Sequence, residues 1–276
     1  MDERYVRRLS DLGADQVAVV GGKNASIGEM IRRLGAAGVR VPGGFATTVD
    51  AYWQFLDASG LRGLIADQID QLHAGADLAG VGAAIRRSIL DAAMPAEIAR
   101  AVTDAYRDLA ESLGRPDVDV AVRSSATAED RPQASFAGQQ ETFLNVTGEQ
   151  AVLDACRHCF ASLFTDRAIS YREHHGFDHQ RVALSVGVQP MVRADLACAG
   201  VIFSIDTETG FPHNVVIDAS WGLGEAVVGG QVDPDEYVVF KPLLDREDLT
   251  PIIAKKRGSK RIKIVYGGDS AGGTRM

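Results

Sequence analysis

The sequence predicts an α+β chain in at least two lobes, helices first and strands later. Two observations predict it. Up to about residue 113, apolar residues recur at helical spacing between turn residues, and past Arg115-Pro116-Asp117 the residues Val118, Val120 and Val122 alternate as in a half-buried strand. That breaker is the expected boundary between a helix-rich lobe, residues 1–115, and a mixed lobe, residues 116–276.

The elements follow in order. Residues 17–20 form a short apolar run, read as a strand or loop, which ends at the turn Gly21-Gly22-Lys23-Asn24. An amphipathic helix over residues 25–34 comes next. Residues 39–45 read as extended with a turn at Pro42-Gly43, and helices follow around residues 49–56 and 81–90. Pro95 suits the first turn of another helix reaching about Leu113, since proline has no amide proton to lose there. In the second lobe a helix over residues 149–171 interrupts the strands, which resume at 182–192, 199–205, 215–219 and 237–240.

Composition bounds the function. The chain has 276 residues and a net charge of −8, which disfavours nucleic acid as a partner because a polyphosphate backbone favours a positive surface. No apolar run approaches the roughly 20 residues that span a bilayer, so no membrane association is expected. Residues 1–9 are charged and lack a signal-peptide core. Three cysteines are too few for a disulfide framework, so a reducing compartment, the cytoplasm, is expected.

Four motifs invite a chemical reading. Gly21-Gly22-Lys23 is not a Walker loop, because Val17 stands where a glycine is needed and Asn24 where Ser or Thr is needed. A lysine ahead of a helix N-terminus can still meet phosphate, where free amides and the helix dipole favour an anion. An exposed surface turn is the alternative. The segment 121–142 places Arg123 where a strand gives way to a loop of small residues, 134–138, anchored by Phe136. A guanidinium there can hold phosphate oxygens in two-pronged fashion, and small residues let backbone amides approach an anion. The alternative is a surface loop whose arginine pairs with Glu129 or Asp130.

Strand 182–192 puts Val182, Leu184, Val186 and Val188 on one face and Ala183, Ser185, Gly187 and Gln189 on the other. The second face is hollow, and with Gln189-Pro190-Met191-Val192 it suits an adenine ring. Met191 and Val192 also read as ordinary core residues. Trp221-Gly222-Leu223-Gly224-Glu225 is no dinucleotide fingerprint, since Val227 occupies the third glycine position; its glycines suit close backbone approach, with Glu225 a polar contact near a nucleotide.

Three further clusters are read as structural. Cys156 and Cys159 are expected as core thiols of a helix, and His174, His175 and His179 as a solvated helix end, with no metal site assigned. The basic run 255–263 reads as a solvated face or partner surface.

Together, residues 20–30, 123–142 and 161–172 resemble the dikinase family, and residues 139–146 with residues 203–211 are most similar to its phosphoenolpyruvate synthase branch. The resemblance covers essentially the whole chain. It implies an ATP-grasp-like fold in two lobes, incomplete at the C-terminus, with ATP as ligand. It implies Lys23 and Arg123 as the phosphate-neutralising, catalytic pair, Gly138 and Thr142 over the phosphates, and Gln189 beside adenine, with Met191, Val192 and Glu225 nearby. The family's reaction, ATP with pyruvate and water giving AMP, phosphoenolpyruvate and phosphate, passes through a carrier histidine after a Thr-Cys pair. None of the six histidines here has that setting. The carrier, the pyruvate barrel and the segment with a Gln-Ala-Arg-Pro motif are expected to lie outside this chain, so magnesium would arrive with ATP, short of a protein ligand. The 276 residues alone are expected to be inactive on pyruvate, and homo-oligomerisation stays open. A rifampin-type antibiotic phosphotransferase and a non-catalytic nucleotide-binding fragment are the alternatives.

Overall fold

Five strands, some very short and some far apart in sequence, are drawn into one sheet by long-range pairing. In the computed structural model, which describes residues 2–127, 141–267 and 273–276, β1 (Val6–Arg8) pairs with β2 (Phe45–Thr47), and β2 with β5 (Leu184–Pro190). β3 (Val120–Ala126) lies between β5 and β4 (Thr142–Val146), so the antiparallel order is β1-β2-β5-β3-β4. Strands from both sides of residue 115 thus share this sheet. The compact units accordingly divide elsewhere, at Met1–Met191 and Val192–Met276.

In the first unit, α1 (Val17–Gly35) precedes β2, and α2 (Val49–Ala58), α3 (Leu61–His73), α4 (Leu78–Asp91) and α5 (Ala96–Ser112) lie between β2 and β3. After β4 come α6 (Glu149–Ser162) and α7 (Asp166–His175). Their ends follow local chemistry. The hydroxyl of Thr48 accepts from Ala51 N at 3.2 Å, the carboxylate of Asp77 from Gly80 N at 2.8 Å, and the hydroxyl of Thr165 from Ala168 N at 3.3 Å, each capping a helix. The Thr165 cap divides the expected single helix over residues 149–171 into α6 and α7.

The two faces of the sheet differ. One carries Val120, Val122, Leu184, Val186 and Val188 into a large core with α2 to α6, in which Phe55, Ile85, Ile89 and Phe160 are fully buried. Each such side chain contributes about 1.5–3 kcal/mol. A smaller cluster of Leu9, Leu12, Val20, Ala25 and Ala46 involves α1. Residues 17–20, read as a strand or loop, are a turn of helix within α1, and the backbone breaks at Gly21 with φ 74° and ψ 164°. Four apolar residues in a row fit either state, and the 3-10 turn at Ala14–Gln16 leads them into the helix.

The second unit is an antiparallel sheet β6-β7-β8-β9, formed by Cys198–Phe203, Asn214–Trp221, Asp235–Phe240 and Ile252–Lys256. A short α8 (Glu225–Val228) and the hairpin β10–β11 (Val265–Tyr266 with Thr274–Arg275) complete it. Gly222, at φ 82°, lies against Ile264, whose carbonyl oxygen would be 2.3 Å from any Cβ, so here the glycine serves backbone approach. Lys260 of the basic run is tied to Asp235 and donates to Gly258 O at 3.0 Å, a structural anchor. Among the described residues no helix is long and apolar enough to cross a membrane.

Candidate functional site

The face of the first sheet opposite the large core presents a row across three strands. Thr142 of β4 stands opposite Arg123 of β3, which stands opposite Gly187 of β5, while Gln189 stands opposite Ala121. Residues directly opposed in a ladder share a face, so Thr142, Arg123 and Gly187 lie side by side.

α1 packs against this face through a buried polar network. Asn24, 2% exposed, donates from Nδ2 to Ser185 Oγ at 2.9 Å and to Val20 O at 3.1 Å. Ser185 Oγ in turn donates to Thr47 O at 2.5 Å, and Thr47 Oγ1 accepts from Val186 N at 2.9 Å. The half of α1 that restarts after Gly21 leaves its first amides without carbonyl partners inside the helix. Ser125 Oγ accepts one of them, Asn24 N, at 3.4 Å, capping the helix from a neighbouring strand. Gly187 is the complementary gap: a Cβ there would fall 2.2 Å from Asn24 Oδ1.

Between α1 and the sheet lies a cleft of about 310 Å³, lined by Lys23, Asn24, Ser26, Ile27 and Met30 from the helix and by Arg123, Ser124, Gly187 and Gln189 from the strands. No acid is among these residues. Two cations, hydroxyl and amide donors and the thioether and aliphatic side chains of Met30 and Ile27 make it suited to an anion bearing an apolar or aromatic body. Arg123 is exposed and forms no salt bridge with a described acid, and partial desolvation of its guanidinium draws its pKa below the ordinary arginine value. It stays protonated throughout the range in which proteins fold.

The sequence-derived candidates distribute unevenly. Lys23, Arg123 and Gln189 line the one cleft, and Thr142 adjoins Arg123 in the ladder. Gln189 is 9% exposed, and its Nε2 donates to Pro42 O at 2.8 Å, which orients its carbonyl end. Met191 follows β5 and donates its amide to Asp119 O at 2.9 Å. Gly138, with Phe136, Glu129 and Asp130, lies outside the described residues. Val192, 65% exposed and so no core residue, and Glu225, whose Oε2 accepts from Thr274 Oγ1 at 3.0 Å, belong to the second unit. Sequence reasoning missed the structural roles of Asn24, Ser125 and Thr47. The alternation of Ser185 and Gly187 on one strand face was the available signal for their partner.

The remaining clusters resolve as follows. Burial pushes the Cys156 thiol up to about 12 and that of Cys159 well above its ordinary value, so both are inert core groups. His174 and His175 are exposed at the end of α7, but His179, 6% exposed, is not on a solvated helix end. It accepts from Arg172 Nε at 2.8 Å through Nδ1 and donates from Nε2 to Glu173 Oε1 at 2.5 Å. Among the described residues no group of three or more His, Cys, Asp or Glu is placed to hold a metal ion.

Comparison with known proteins adds the family. The chain is similar to the proteins named phosphoenolpyruvate synthase of Synechocystis sp., 54% identical over 274 residues, and of Escherichia coli strain K12, 55% identical over 259 residues. It is likewise similar to that of Aquifex aeolicus, 51% identical over 261 residues. These matches cover 97%, 93% and 94% of this chain but 33%, 32% and 30% of the respective relatives, so the chain spans about a third of their length. The family model described as pyruvate phosphate dikinase, AMP/ATP-binding domain, matches residues 17–276, a span that holds every residue of the cleft. The chain belongs to the pyruvate phosphate dikinase family, as its AMP/ATP-binding domain.

Proposed function

We propose that the cleft between α1 and the first sheet receives the phosphates of ATP, and that the chain is the nucleotide-handling portion of a phosphoenolpyruvate synthase. The observation that carries this reading is the convergence of Lys23, Arg123 and Gln189 on one cleft, whose described lining holds no acid, at the restart of a helix. Lys23 and Arg123 offset phosphate charge, and the developing charge on a transferred phosphoryl group would be stabilised by the same pair. Thr142 would meet the phosphates, and Gln189 with Met191 would meet the base. A domain of the ATP-grasp type agrees with the mixed α+β architecture and the antiparallel sheets.

Among the described residues lining the cleft there is no carboxylate, so their donor set fits phosphate and not a divalent cation. Magnesium would therefore enter on the nucleotide. The names of the relatives favour phosphoenolpyruvate synthase over an antibiotic phosphotransferase. The whole reaction, ATP with pyruvate and water to AMP, phosphoenolpyruvate and phosphate, calls for a carrier histidine that none of the six histidines here matches by motif. The 276 residues by themselves are proposed to bind ATP without converting pyruvate.

Equilibrium dialysis of the purified chain with ATP, ADP and AMP, beside an assay for phosphoenolpyruvate, tests both parts. Affinity is expected to rise with the number of phosphates, and no phosphoenolpyruvate is expected from ATP and pyruvate. Equal affinity for ATP and AMP would remove the phosphates from the cleft, and phosphoenolpyruvate formation by chain free of host enzyme would overturn the second part.

A further inference from the structure

Asn24, which follows Lys23 on α1, is gripped by a pair of serines that the sheet sets opposite each other. Ser125 of β3 stands opposite Ser185 of β5, as Arg123 stands opposite Gly187. Side chains two positions apart on a strand share a face, so both pairs lie on the face that carries α1, about 7 Å apart along the strands. Ser125 Oγ accepts from the backbone amide of Asn24 at 3.4 Å, and Ser185 Oγ accepts from its side-chain amide at 2.9 Å. Both serines are buried, and neither is among the residues lining the cleft. The backbone is seated as closely: Gly21 presses on Ser125, and Asn24 Oδ1 fills the place of a side chain on Gly187.

Apolar contact alone would seat a helix on this face without these groups. Replacing both partners of a buried hydrogen bond by apolar groups of the same shape is close to neutral for stability. What the polar grip adds is register, because hydrogen bonds have directions that apolar contacts lack. A shift of α1 by one residue, about 1.5 Å along its axis, would bring Lys23 or Ala25 to the serines, and neither carries a side-chain amide. The backbone beside Lys23 is thereby fixed relative to β3, the strand that carries Arg123. Charge-assisted hydrogen bonds are made at about 2.7–2.9 Å, so two cations that hold one phosphate chain need a separation fixed to within a few tenths of an ångström.

We propose that Ser125 and Ser185 are positioning residues for phosphate binding, which set the separation of Lys23 and Arg123 without touching the nucleotide. The role rests on the reading of the cleft as a phosphate site. It assigns the preference for ATP over AMP to two buried hydroxyls as well as to the two cations.

Equilibrium dialysis of ATP and AMP with the 276-residue chain and its Ser125→Ala variant tests the role, with urea unfolding as the control for stability. Ser125→Ala is expected to weaken ATP binding about 3- to 10-fold and AMP binding by less than about twofold, whereas a merely structural loss would move both ligands alike. In an Arg123→Ala background the same substitution is expected to leave ATP affinity within about twofold, because the separation it disturbs then has only one cation. Ser185→Ala, which frees the Asn24 side-chain amide and leaves β3 intact, is expected to act in the same direction and still decides if Ser125→Ala does not fold. A parent that binds ATP and AMP equally would remove the phosphates from the cleft, and this role with them. A parent that prefers ATP, with that preference unchanged in the serine variants, would overturn the role alone. An effect of Ser125→Ala that persists in full without Arg123 would overturn it as well.

Discussion

Gly21 lies so close to Ser125 that a Cβ on it would stand 2.3 Å from the serine Oγ and 2.4 Å from its carbonyl oxygen. The backbone of Gly21, at φ 74° and ψ 164°, occupies a region that essentially only glycine enters. This contact breaks α1 and sets where Lys23 begins its second half. Gly21→Ala is therefore expected to cost about 2–4 kcal/mol, from strain and overlap together. Urea denaturation measures it, and a loss under 1 kcal/mol would show that the break in α1 tolerates a side chain.

The Asn24 network predicts a second large effect. Asn24→Ala leaves Ser185 Oγ without its amide donor in a buried place and opens a gap beside Gly187, while Ser125 keeps its bond to the backbone amide of residue 24, for a loss of about 2–4 kcal/mol. Asn24→Asp would keep the shape but bring a carboxylate next to the phosphate cleft. ATP binding should then fall at least tenfold at neutral pH, as dialysis would detect.

Arg123 separates binding from folding. Because it is exposed and has no salt bridge among the described residues, Arg123→Ala should change stability by no more than about 0.5 kcal/mol. Its effect on ATP affinity should be about 10- to 100-fold, the worth of a charge-assisted contact of about 1.5–3 kcal/mol. Arg123→Lys is expected to recover only part, since an ammonium cannot replace a planar fork. Full recovery by lysine would mean that Arg123 acts as charge alone.

Acid should weaken the first unit in two stages. Burial, then the positive charge of Arg172, holds the His179 pKa below 6.5, so the unfolded chain binds the proton more readily and stability falls as pH drops below about 6.5. Hydrogen bonding from His179, more than from His73, lowers the Glu173 pKa below 4.5, so that its contribution is present above about 4.5 and lost below it. Urea unfolding at pH 7.5 and 5.5 should show the first loss, and His179→Gln should remove it. A variant with the same pH dependence as the parent would assign that loss to other groups.

Much of this was legible in the sequence, for identifiable reasons. The strand at 182–192 alternates so cleanly that the packed face of Val182, Leu184, Val186 and Val188 and the face of Ser185, Gly187 and Gln189 could be assigned, and the second face does border the cleft. Helices α2, α4 and α5 begin at Thr48, Asp77 and Pro95, all residues with a local reason to start one. α3 carries Leu61, Ile65 and Ile69 at helical spacing, a pattern that was present but went unread. The boundary at residue 115 marked a real helix end, with Gly114 at φ 64°, but not a break between compact units, because β3 pairs with β5 some sixty positions later and local signals do not report such pairing. β1 and β2, three residues each, are held by their neighbours more than by their own sequence. The burial of His179 depends on Arg172 and Glu173 of the preceding helix meeting a residue beyond its end, which spacing alone does not disclose. Asn24, expected in a turn ahead of the helix, lies inside α1 and is buried, because its partner Ser185 comes from a strand 161 positions away.

Isothermal titration of ATP with magnesium into the chain and into the double variant Lys23→Ala, Arg123→Ala tests the central claim most directly. The parent is expected to show saturable one-site binding, and the double variant, with an unchanged unfolding curve, an affinity lower by at least a hundredfold. Equal affinity in the two proteins would contradict the placement of the phosphates between Lys23 and Arg123.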